Sequence, residues 1–156
     1  MIMQLARWIL VAAHVLAGAA WFGAMLYSLT VLHPRARAFF GTARQFEDFI
    51  AFTAAGVRWK VLGGAGFIAI TGVGSLLCTA TGELPPGKWI CLLAKSILFV
   101  AAVGLFCFTS WVLWPARTLA SAEEIPGFQR KFRIIAVALL ALVGASMVLG
   151  VLSSHL

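Results

Sequence analysis

The sequence predicts an all-α integral membrane protein, a bundle of four transmembrane helices, and three observations carry that prediction. Hydrophobic residues make up 62% of the 156-residue chain against 11% charged ones, and mean hydropathy is +1.01, which is far from the composition of a water-soluble domain. Four stretches, at about 8–32, 61–80, 89–114 and 134–154, are long enough to cross a hydrocarbon layer of ~30 Å, which takes ~20 helical residues. These runs are continuously apolar and rich in Ala, Leu and Gly rather than alternating, so helices fit them and barrel strands do not. Together they make residues 1–156 a single membrane domain, with long connections at 33–60 and 115–133.

The first span opens at Trp8 and ends at Leu32-His33-Pro34. It has no small-residue cleavage site, so it reads as a retained span rather than a signal peptide. In the first connection Phe39, Phe46, Phe49, Ile50 and Thr53 recur at helical spacing beside Arg44, Glu47 and Asp48, predicting a short helix that lies at the interface or extends the second span. That span opens with Arg58-Trp59-Lys60 and is crowded with small residues at Gly63, Gly64, Gly66, Gly72 and Gly74, as close helix packing in lipid requires. The short turn from Thr81 to Gly87, stiffened by Pro85 and Pro86, predicts that the second and third spans are antiparallel neighbours. The third span runs from Trp89 to Leu113-Trp114-Pro115, and in the connection after it Pro126-Gly127 is expected to interrupt any long helix. The fourth opens after Lys131-Phe132-Arg133 and carries Gly144, Ala145, Ser146 and Gly150.

Nine of the twelve basic residues flank the two long connections: Arg35, Arg37, Arg44, Arg58, Lys60, Arg117, Arg130, Lys131 and Arg133. The positive-inside rule makes that side cytoplasmic, with both termini on the periplasmic side of a bacterial-type inner membrane. Topology and anionic headgroups account for the net charge of +7, and nothing calls for nucleic acid. Sliding the chain 81 residues along itself aligns Trp8-Ile9 with Trp89-Ile90, Gly23 with Gly104, and Val31-Leu32-His33-Pro34 with Val112-Leu113-Trp114-Pro115. Two tandem helix-hairpin repeats, related by an axis along the membrane normal, explain that echo.

In that register His14 falls on Lys95, and these are the two ionisable side chains deep inside apolar segments. Six residues of helix, ~9 Å, separate each from its outer tryptophan. Thr71, Ser146 and Met147 reach a comparable depth, so one outer-leaflet layer collects the candidate polar groups. His14, Gly18, Trp21 and Met25 follow the i, i+4, i+7, i+11 spacing of one helix face. A neutral imidazole is a good axial ligand for haem iron and a good copper ligand, glycine one turn away lets a flat macrocycle approach the backbone, and Trp and Met pack on it. Met147 is the further candidate metal ligand beside His14. Lys95 has no intramembrane Asp or Glu to neutralise it, which points either to a snorkelling side chain or to an anionic ligand such as a propionate.

His33 and His155 mark opposite boundaries and read as interfacial. Cys78 and Cys91 bracket the outer turn, compatible with a disulfide or with two packed thiols, while Cys107 reads as structural. There is no Cys-x-x-Cys, no covalent haem motif, no phosphate loop and no carboxylate pair, so hydrolase and nucleotide chemistry lack support.

The first span, His14-Val-Leu-Ala-Gly-Ala-Ala-Trp21-Phe-Gly23 followed by Tyr27 and Pro34, resembles the opening of the copper-resistance protein D (CopD) family. It is similar as well to that of the HemJ-type protoporphyrinogen oxidases. Trp89-Ile-Cys-Leu-Leu-Ala-Lys95 resembles the lysine-bearing helix of both, and Phe132-Arg133-Ile134 that of the HemJ group. The Tyr-His pair that follows that lysine in the HemJ pattern is absent, and Val31-Leu32-His33-Pro34 fits the copper-type ending better. The HemJ likeness implies that His14 ligates haem b and that Lys95 belongs to a porphyrin site; the CopD likeness puts His14 in a copper pathway. The expectation drawn from these readings is a membrane protein binding haem b or a porphyrin with a redox role around His14 and Lys95, an oxidoreductase if an enzyme. Copper binding or transport and a non-catalytic membrane subunit are the alternatives. The expected partners are the lipid bilayer, the haem, porphyrin or copper ligand, and a second copy of the chain or a redox partner.

Overall fold

The computed structural model describes residues 2–79 and 85–153. Among them the chain forms five helices and no strand: α1 (Ile2–Phe39), α2 (Ala43–Ala54), α3 (Val57–Leu77), α4 (Pro86–Thr118) and α5 (Ile125–Leu152). All but α2 are long and apolar enough to cross a membrane, so the chain is a multi-pass membrane protein built of helices. Two of the four, α1 and α4, exceed the expected spans at both ends, and α3 and α5 start earlier. The ends of the second and fourth predicted spans, at 80 and 154, lie outside the described residues, as do Thr81 to Leu84 of the turn between the second and third spans.

The 38 residues of α1 extend ~57 Å at 1.5 Å per residue, well beyond a ~30 Å hydrocarbon layer. Its basic end therefore projects past the hydrocarbon layer, and α2 packs beside that projection. Thr42 caps α2, its hydroxyl accepting from the Gln45 amide. Gly56 separates α2 from α3 at φ +72°, a left-handed bend that favours glycine, so the short helix is a distinct element and not an extension of the second span.

Both α1 and α4 widen into a π-helical turn, at Ser28–Leu32 and Thr109–Leu113. In each, the residue before a proline donates its amide five residues back, His33 to Ser28 and Trp114 to Thr109. Proline has no amide hydrogen and its ring crowds the carbonyl four residues earlier; a widened turn relieves that crowding without ending the helix. The two widened turns stand 81 residues apart, the spacing of the sequence echo.

Pro126-Gly127 does not interrupt the fourth span's helix. Ile125 starts α5 with proline in its first turn, where the missing amide hydrogen is one the helix leaves unpaired anyway. Neighbour relations also differ from expectation. The closest helix pairs are α1 with α3 and α4 with α5, and α1 also packs on α5. The sequential spans α3 and α4 do not pack closely along their length, although Trp59 and Trp111 meet edge to face at 6.0 Å near their basic ends. Glycine placement decides this: a Cβ on Gly72 or Gly74 would strike His14 or Leu10 of α1, so the close-approach face of α3 is turned to α1. Gly144 and Gly150 admit Phe22 and Lys95 in the same way, whereas Gly63, Gly64 and Gly66 have nothing within 4 Å of a Cβ position. Where α1, α4 and α5 meet, Ala102, Leu139 and Val143 form the core with Trp21, Phe22, Met25, Leu105 and Phe106 around them.

Candidate functional site

His14 sits on α1 against the backbone of α3. Its Nδ1 is 2.9 Å from the Ile68 carbonyl oxygen and 3.3 Å from Thr71 Oγ1. A carbonyl can only accept, so in the neutral ring Nδ1 carries the proton and Nε2 keeps its lone pair. Thr71, 3% exposed, donates its own hydroxyl hydrogen to the Phe67 carbonyl at 2.8 Å, which leaves its oxygen free to accept from His14. The imidazole can reach this carbonyl because residue 72 is glycine: a Cβ there would lie 3.0 Å from Cε1. Nε2 has no hydrogen-bond partner among the described residues, and no buried polar side-chain atom among them is left unpaired.

Lys95 lies on α4, and its ammonium rests beside α5, with Nζ 3.3 Å from where a Gly150 Cβ would stand. Gly150 is in the last turn of α5, which ends at Leu152, where carbonyls face the end of the helix and the dipole is negative. The ammonium thus lies alongside the last turn of α5, a neighbour that sequence reasoning missed. Lys95 and His14 rest on different helices, α4 and α1.

The stripe below His14 divides. Gly18 has open space where a Cβ would stand. Trp21 meets Phe99 of α4 edge to face at 6.4 Å, and Trp21 and Met25 pack on the Ala102, Leu139 and Val143 core. His14 therefore faces α3, and Trp21 and Met25 face α4 and α5. Met147 is half-buried on α5, one turn from Gly144 on one side and Gly150 on the other. Among the described residues no three His, Cys, Asp or Glu side chains converge as a metal-binding group. Cys78, Cys91 and Cys107 are free thiols, and His155 lies outside the described residues.

The most strongly bonded polar cluster lies at the opposite, basic end, where it joins the two long connections. Arg117 donates to both carboxylate oxygens of Glu47, at 2.8 and 3.0 Å, and Gln129 donates to Glu47 Oε1 at 2.8 Å. Arg37 in turn donates to the Gln129 carbonyl at 2.6 Å. The Arg117 guanidinium packs over the Phe132 ring at 4.6 Å and the Trp114 ring at 5.5 Å. Beneath it Phe46, Ile50 and Ala36 form a small core, and His33 meets Phe46 edge to face at 6.2 Å. Burial by itself raises the Glu47 carboxyl pKa, but hydrogen bonds from Arg117 and Gln129 and the charges of Arg117 and Arg37 outweigh it and hold the group below its ordinary value. Sequence reasoning counted Arg117 as one more topological charge. The available signal was a glutamate on the polar side of an amphipathic helix in a basic connection; nothing in the sequence paired it with Arg117.

No family model, curated protein or solved structure matches this chain.

Proposed function

We propose that this chain is an inner-membrane protein that binds haem b through Nε2 of His14 and has a redox role. The observation that carries this reading is the hydrogen bond from His14 Nδ1 to the Ile68 carbonyl. Metal-ligating histidines characteristically donate their other ring nitrogen to a carbonyl or carboxylate, which fixes the tautomer and aims the lone pair. The open space beside Gly18, one turn from His14, supports a planar ligand on that side of α1. Lys95 supplies a cation at similar depth for an anionic substituent. Haem, once bound, contributes one-electron chemistry; the chain's part is to hold the imidazole, orient it and supply the charge. The 81-residue echo, the matching π-turns and the positive-inside count support two tandem hairpin repeats with both termini periplasmic.

Haem is favoured over copper because one axial histidine suffices for it, while copper sites use several soft or imidazole ligands, and among the described residues no three His, Cys, Asp or Glu side chains converge. The test is the absorption spectrum of the purified full chain, as isolated and after haem reconstitution. A Soret band that is lost in His14→Ala, with helix content unchanged, is expected. Absence of the band in the reconstituted wild type removes the proposal.

A further inference from the structure

The basic end of the bundle carries an aromatic surface that the small core beneath it uses only in part, through Phe40 and Phe49. Phe39 and Phe52 are 82% and 81% exposed. With Phe40 and Phe49 they line an open groove of about 650 Å³ between the end of α1 and α2, with Gln45 and Asp48 as its polar wall. The opposite side of α2 is already occupied, because Phe46 and Ile50 are buried against Ala36. The groove is therefore the outward side of this junction.

Chain geometry sets its level. The bend at Gly56 leads straight into α3, so Phe52 stands only six and seven residues along the chain from Arg58 and Trp59. Trp59 is 68% exposed at the start of a membrane-crossing helix, where indoles mark the headgroup boundary. Charge supplies the rest. Asp48 is paired with Arg44 at 3.3 Å, Glu47 with Arg117, and Arg37 is engaged by Gln129. Arg35 and Lys60 are exposed and have no ion pair among the described residues. Arg35 stands four residues before Phe39, on the same face of α1. An exposed cation one helical turn from an exposed ring, with a second exposed cation next to Trp59 at the start of α3, matches the phosphate and the glycerol-acyl region of an anionic phospholipid.

We propose that the Phe39/Phe52 groove, with Arg35 and Lys60, binds an anionic phospholipid of the adjoining leaflet and so seats α2 in the headgroup layer. The full chain in neutral detergent micelles is titrated with phosphatidylglycerol and, separately, phosphatidylcholine, while thermal unfolding and lipid retained in native mass spectrometry are followed. Phosphatidylglycerol is expected to raise the midpoint more than phosphatidylcholine, and high salt is expected to erase the difference. Arg35→Gln and Lys60→Gln each lower apparent phosphatidylglycerol affinity about fivefold, from ~1 kcal/mol per basic side chain near an anionic surface. Because both side chains are exposed, these variants stay folded and report the charge effect by itself. Phe39→Ser with Phe52→Ser lowers retention of both lipids. Equal response to the two lipids, an unchanged preference in both charge variants, or a dimer that the serine variant dissolves without any change in lipid retention overturns the proposal.

Discussion

Replacing Glu47 by Ala leaves Arg117 in place with its carboxylate gone. The Arg117 side chain is 5% exposed and that of Glu47 15%, so the pair is nearly desolvated. Removing one partner of a fully buried ion pair costs about 3–5 kcal/mol, because the remaining charge is stranded. Stacking on Phe132 and Trp114 retains ~1 kcal/mol of that for the guanidinium, and the residual exposure of Glu47 admits some water. The expected loss is therefore about 2–4 kcal/mol. Equilibrium unfolding by denaturing detergent in mixed micelles measures it, and a double-mutant cycle with Arg117→Met isolates the pair. The methionine keeps volume over the rings while removing the charge that needs Glu47, so the double variant is expected to recover much of the loss through a coupling of 1 kcal/mol or more, on the order seen for bonded neighbours. Additive losses, or a single-variant loss below ~0.5 kcal/mol as for an ordinary surface change, refute the assignment of this contact as the tie between the two connections. The same carboxyl makes stability depend on pH. Its folded-state pKa lies below the ordinary 4.5, so its contribution is complete above that value and is lost as pH falls through the folded-state value. Wild-type stability is expected to drop in that acidic window, and Glu47→Gln to flatten the dependence there.

Gly72→Ala puts a methyl carbon 3.0 Å from His14 Cε1; overpacking of this kind costs about 1–3 kcal/mol, and where haem is bound the Soret maximum shifts as the imidazole tilts. An unchanged spectrum and stability place His14 elsewhere. Gly56→Ala forces a side chain into φ +72°, and a loss of about 1–2 kcal/mol is expected in the same unfolding assay. Ala102, 1% exposed at the meeting of α1, α4 and α5, tolerates no enlargement: Ala102→Leu is expected to lower the thermal midpoint and weaken the Trp21 fluorescence environment, while the exposed Val100→Leu leaves both unchanged.

Much of the architecture was legible from composition. Continuous apolar runs of membrane length have one favourable backbone solution in lipid, which is to satisfy every amide internally as helix, and the four spans follow from that. The periodic phenylalanines of the first connection identified α2 for a similar reason, since an apolar stripe with Arg44, Glu47 and Asp48 opposite it has only one helical arrangement. Boundaries were less legible. The Leu-His-Pro and Leu-Trp-Pro endings read as stops, yet a π-turn absorbs each proline and the helices run on to Phe39 and Thr118. Pro126 read as a breaker and became a first-turn residue of α5.

By itself, the sequence determined that this is a multi-pass helical membrane protein, where its cations collect, and that His14 and Lys95 are its unusual intramembrane side chains. These properties depend on each segment's own length, polarity and charge. Tertiary structure alone decided which helices touch, that the His14 imidazole hydrogen-bonds the Ile68 carbonyl beside Gly72, that Lys95 meets the end of α5, and that Glu47 and Arg117 tie together connections 70 residues apart. In lipid every apolar face is equally at ease against a tail or another helix, so hydrophobicity does not choose neighbours; small-residue gaps and buried polar contacts do, and these exist only once two particular helices have come together.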